Sequence, residues 1–100
     1  MNKELKDFDC CKILRPIVAT ISSNGQDYIA SFKEANISAS GDTVEESVEN
    51  LKDIIQLKFL RLTETENFLS NNLKNTLNVL KKFLVLKEGG KNGDYLSYRW

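Results

Sequence analysis

Ile37-Ser38-Ala39-Ser40-Gly41-Asp42-Thr43-Val44-Glu45-Glu46-Ser47-Val48-Glu49-Asn50-Leu51 changes its period in mid-course. Residues 37–40 read as a short strand that stops at Gly41. From Thr43 the pattern is helical. Thr43 is an N-cap residue and Glu46 stands three positions on, which spells a capping box. Asp42, Glu45 and Glu46 also suit the positive end of a helix dipole. Val44, Val48, Leu51, Ile55 and Leu62 then fall on one stripe at helical spacing. Glu45, Glu49 and Asp53 form an acidic ridge, which reads as the solvated side of that helix.

Upstream of this corner the period is two. Residues 13–23 are expected as a first strand, with Ile17, Ala19 and Ile21 on one face and Val18, Thr20 and Ser22 on the other. Pro16 has no N–H for a ladder and belongs at the strand's start or on an edge. Asn24-Gly25 suits a type I′ turn. A second strand follows over 27–32, carrying Tyr28, Ala30 and Phe32 on one face, and Lys33-Glu34-Ala35-Asn36 turns the chain into the third. The expected fold class is α+β: a three-stranded antiparallel sheet packed by one helix, then a second, C-terminal helix.

Downstream, Thr63-Glu64-Thr65-Glu66-Asn67 breaks the helical pattern, and a second helix is expected over 67–86 on the stripe Leu69, Leu73, Leu77, Leu80 and Leu84. At 100° per residue that stripe spans roughly 80°; Phe83, Phe68, Val79 and Leu86 widen the apolar arc to roughly 180°, against the ~100° that one core contact uses. Leu57 and Leu60 add surplus apolar surface on the first helix. The sequence therefore points to an interface built from Leu57, Leu60, Phe68, Leu69, Leu73, Val79, Leu80, Phe83 and Leu86, and to a two-fold homodimer. The competing arrangement is a monomer in which the second helix folds back on the first as a hairpin.

The whole chain of 100 residues is read as one domain: a leader over 1–12, the β-β-β-α core over 13–62, the second helix over 67–86 and a tail over 87–100. Fourteen basic and fourteen acidic residues give zero net charge, which argues against an electrostatically driven nucleic-acid binder. No apolar run reaches the ~20 residues of a membrane span, and the N-terminus lacks the apolar segment of a secretory signal. The chain has no His, so imidazole bases, His ligands and Ser-His catalysis are excluded. Gly89-Gly90-Lys91-Asn92-Gly93 lacks the spacing of a phosphate loop. The only two cysteines, Cys10 and Cys11, are adjacent, and neighbours in sequence rarely bridge. They are expected as reduced thiols in the cytoplasm, the alternative being a bridge between copies. No catalytic residue, metal ligand, cofactor or small-molecule substrate is called, and the chain is read as a non-enzyme.

The run 27–32 followed by 37–51, with Gly41-Asp42-Thr43 and Glu45-Glu46 at its centre, resembles the N-terminal domain of HicB-type antitoxins. Ser47 stands where that family usually has Ala. The resemblance covers about residues 15–62, and the run from Phe68 to Leu84 is similar to the second helix of short stand-alone HicB-like proteins. It implies a partial ribonuclease-H-like sheet with a helix packed on it. It also implies a protein that binds and neutralises a small HicA-type toxin, or a derived protein-interaction module, often dimeric. The first strand has no acid of the kind that ribonuclease-H chemistry needs to hold metal ions, and the part after helix 1 is too short for the DNA-binding domain of full antitoxins. The alternative reading is a small nucleic-acid-binding regulator that uses Lys74, Lys81, Lys82 and the tail.

Overall fold

The period change at Gly41 is a strand-to-helix corner in the computed structural model, which describes residues 1–87. In chain order the elements are β1 (Asn2–Leu5), β2 (Cys11–Ile13), β3 (Ile17–Ser23), β4 (Tyr28–Phe32), β5 (Ile37–Gly41), α1 (Val44–Glu64), α2 (Asn71–Phe83) and β6 (Leu84–Leu86). Short 3-10 turns over Lys33–Ala35 and Glu66–Phe68 precede β5 and α2. The fold is α+β, with an antiparallel main sheet in the order β1-β3-β4-β5 and a separate ribbon of β2 and β6.

The main sheet therefore has four strands where three were expected. The extra one comes from the leader. β1 pairs along β3 with Leu5 opposite Ile17, and Leu5 and Phe8 are buried. The expected strand over 13–23 splits at Leu14-Arg15-Pro16. Its first residue, Ile13, instead ends β2, which draws Cys11 and Lys12 from the expected leader and pairs with β6 outside the main sheet, and the regular strand begins at Ile17, just after the proline that cannot donate to a ladder.

The hairpin at Asn24-Gly25 forms, but not as a type I′ turn. That turn needs positive φ at both central residues, and here Gly25 has φ 94° while Asn24 does not share it. The Asn24 side chain takes over: its Oδ1 accepts from the N–H groups of Gln26 and Asp27 at 3.0 and 2.8 Å. This closes a wider four-residue connection between Ser23 and Tyr28. Asn36, with φ 57°, ends the 3-10 turn and aims the chain into β5.

α1 starts as its sequence says. Thr43 Oγ1 accepts from the Glu46 N–H at 3.0 Å, and the Glu46 carboxylate accepts from the Asp42 N–H at 2.7 Å. Its buried side, Ser47, Leu51 and Ile55, lies on the sheet face made by Leu5, Ile17, Ala19, Ala30, Phe32 and Ala39. The helix has 21 residues, about 31 Å at 1.5 Å per residue, so it outruns a five-residue strand of about 17 Å. Phe59 and Leu62 in the overhanging half are buried nonetheless. The core there is completed by Leu77 and Leu80 of α2, Leu84 of β6, and Phe8, Cys10 and Cys11.

The second helix is shorter than expected, 71–83 instead of 67–86. Ser70 caps it, accepting from the Leu73 N–H at 3.4 Å. At its other end Leu84, Val85 and Leu86 are strand residues paired to Ile13, Lys12 and Cys11. Val85 is β-branched and strand-favouring, and for the two leucines it is the ladder to β2 that replaces another helical turn.

Candidate functional site

The structure divides the nine residues expected at an interface. Leu80 is fully buried within the chain, and Phe83 sets its ring edge-on to Phe32 with centroids 5.1 Å apart. Leu60, Leu69, Val79 and Leu86 are half-buried against the same core. Only Leu57, Phe68 and Leu73 stand exposed, Phe68 at 88%. Much of the wide apolar arc on α2 is thus used inside one copy, because the overhang of α1 and the β2–β6 ribbon supply a second contact surface. The feature that sequence reasoning lacked was this ribbon, whose partner strands are 71 residues or more apart in the chain (Ile13 to Leu84).

Phe68 lies on the 3-10 turn Glu66–Phe68, between the two helices. Lys81 of α2 reaches back to Glu66, with Nζ 2.8 Å from Oε2. This ties the turn to α2 while the ring of Phe68 points away from the core. Leu73 is 40% exposed in the first turns of α2.

The face of the main sheet away from α1 carries small hydroxyl side chains. Thr20, Ser31 and Ser38 stand in register across β3, β4 and β5, and Ser31 and Ser38 share a hydrogen bond of 3.1 Å. Ser22, Ile29 and Ser40 form the next row. The two sheet edges differ. β1 carries Lys3 and Glu4, whereas β5 has no charged residue between Ile37 and Gly41.

Beside β1, a shallow groove of about 290 Å³ runs between the strand and α1, lined by Lys3, Leu5 and Lys6 on one wall and Glu45, Val48, Glu49 and Lys52 on the other. The acidic ridge of α1 is solvated as expected, and Glu49 lies 3.7 Å from Lys52. Among the described residues, no group of three or more Cys, Asp or Glu is placed to hold a metal ion. Of the basic residues in the alternative reading, Lys81 is held by Glu66, Lys74 and Lys82 are exposed, and the tail beyond Lys87 lies outside the described residues.

Cys10 and Cys11 correct the sequence reading: they are joined to each other as a disulfide rather than standing as two thiols. Both are buried where β2 begins. The Cys10 N–H donates to Gln56 Oε1 of α1 at 3.1 Å, and its carbonyl accepts from the Lys87 N–H at 3.2 Å. No helix among the described residues is long and apolar enough to cross a membrane.

No protein-family model matches the chain, and no curated protein or solved structure matches it either.

Proposed function

We propose that the chain is a non-enzymatic protein-binding module of the HicB-like type, which binds and neutralises a small HicA-type toxin or serves as an interaction module derived from such an antitoxin. The observation that carries this reading is Phe68. A large aromatic ring 88% exposed, on a turn anchored by Glu66 and Lys81, is a preformed anchor for a partner's pocket. Anchors held in place before binding lose little freedom on docking. The corner Gly41-Asp42-Thr43 with its capping box, at the junction of a β-β-β-α run, supports the family side of the proposal. An antitoxin acts where its toxin is made, which places the proposed activity in the cytoplasm.

The test is capture from cells of the source organism with tagged wild-type protein and with Phe68→Glu. A small protein retained by the wild type and lost from the variant, with both melting alike, is the expected outcome. If the two columns retain the same proteins, Phe68 is not a binding anchor and the reading fails.

A further inference from the structure

We propose that the β5 edge and the adjoining flank of α1 form a self-association surface, on which a second copy of this chain docks about a two-fold axis. The surface is distinct from the Phe68 region and does not depend on its role.

The first observation is the contrast between the sheet's edges. An edge strand offers unpaired N–H and C=O groups to any other strand, and proteins usually blunt it with charge, Pro, a bulge or extreme shortness. β1 is blunted by Lys3 and Glu4. β5 has an ordinary length of five residues, pairs along its whole length with β4, and carries only Ile, Ser, Ala and Gly. The Asn50 amide donates to the Ser40 carbonyl at 2.8 Å from the α1 side. A carbonyl has two lone pairs, so this one can still accept from a strand beyond the edge.

The same contact shows which flank of α1 faces this edge. Residues spaced i, i+4, i+7 and i+11 share a helix face, so Ile54, Leu57 and Arg61 lie on the Asn50 side. Val48 and Lys52, which line the groove at β1, mark the opposite flank. Leu57 is 51% exposed on the β5 flank, and Ile54 is only partly buried. An apolar pair thus adjoins an edge strand that carries no charge and no Pro, and to which Asn50 of α1 hydrogen-bonds.

The third observation is charge. Glu46 near the start of α1 and Arg61 near its end stand on this flank, with Ile54 midway between them. A two-fold axis level with the Asp53–Ile54 peptide sets the two α1 helices antiparallel, brings Leu57 of each copy to Asn50 of the other, and faces Arg61 with the other copy's Glu46. The surface is therefore complementary to itself. The strands meet under the same axis. Gly41 lies against Ser47, and a helix rises 1.5 Å per residue against about 3.3 Å for a strand. Ile54 therefore lies roughly three residues back along β5 from Gly41, near Ser38 and Ala39. Antiparallel pairing there joins two four-stranded sheets into one of eight.

Sedimentation equilibrium of the full chain at tens of micromolar tests this. The expected mass is twice 11.4 kDa. Leu57→Asp and Ser38→Lys each place like charges near the axis, and each is expected to weaken self-association roughly tenfold or more. Far-UV circular dichroism and melting of both variants should remain those of the wild type at a concentration where all are monomeric. Val79→Glu and Phe68→Glu, away from this surface, should leave the dimer's mass unchanged. A wild-type mass of 11.4 kDa overturns the proposal. So does a dimer that survives Leu57→Asp and Ser38→Lys, or one dissociated by Val79→Glu.

Discussion

Gly41 is the residue on which the strand-to-helix corner turns. A Cβ built there would lie 2.5 Å from the Ser47 backbone nitrogen, so an alanine forces α1 away from β5. Gly→Ala gains about 0.4–1 kcal/mol where the backbone tolerates it, but overpacking against main chain costs about 1–3 kcal/mol. The clash wins, and urea unfolding of Gly41→Ala should show a net loss of roughly 1–2 kcal/mol. Ser47 answers the glycine from the helix side. It is fully buried, and its hydroxyl donates to the Val44 carbonyl at 2.8 Å. That bond is local, so Ser47→Ala should cost less than about 1 kcal/mol, whereas Ser47→Leu should unfold the corner. Thr43→Ala removes the acceptor for the Glu46 N–H and should lower stability by about 1 kcal/mol. An unchanged denaturation midpoint in Thr43→Ala would show that the cap contributes nothing. The cap was legible in four consecutive residues because every contact it makes is local.

α2 shows where local reading stops. Its stripe of leucines is plain in the sequence, yet the buried part is Leu77, Leu80 and the strand residue Leu84, while Leu73 stands 40% exposed. Leu80→Ala should therefore cost about 2–5 kcal/mol, as core truncations do. Leu73→Ala should stay within about 1 kcal/mol. Equal losses in thermal or urea melts of the two variants would contradict the packing. The end of α2 was not legible, since 84–86 continue the apolar run and nothing nearby marks a stop. What ends the helix is β2, paired from the far end of the chain. The same strand explains the misread start of the sheet. Ile13 reads as the start of a strand continuous to Ser23, with only Pro16 hinting that the run divides, and Cys11 and Lys12 read as leader because their partner strand lies at the other end of the chain.

At the scale of the molecule, the N-terminal segment and the β2–β6 ribbon close the core around the overhanging half of α1. Cys10 and Cys11 sit inside that closure, bonded to each other. Thiol titration of protein unfolded in denaturant should find none without a reductant and two after treatment with dithiothreitol, and the untreated chain should be lighter by two hydrogens. Two reactive thiols in unreduced, unfolded protein would overturn the bridge. Deleting residues 1–9 should be far more damaging than loss of a frayed leader, because Leu5 and Phe8 are both core residues. A deletion variant that melts with the wild type would show the segment to be dispensable.

What the sequence determined by itself is the part encoded within a few neighbours: the alternation of β3 to β5, the reversal at Asn24-Gly25, and the Thr43 cap with its helix stripe. Hydrogen bonds and period arise within one or two turns of chain, so composition and spacing are enough to specify them. Only the tertiary structure decided that Asn2–Leu5 becomes an edge strand, that Val85 and Leu86 leave the helical pattern, and that Leu80 and Phe83 serve the chain's own core. Each of those outcomes depends on which distant surface is available to cover an apolar side chain or complete a ladder. The same apolar pattern is compatible with either a helix turn or a strand until that partner is in place.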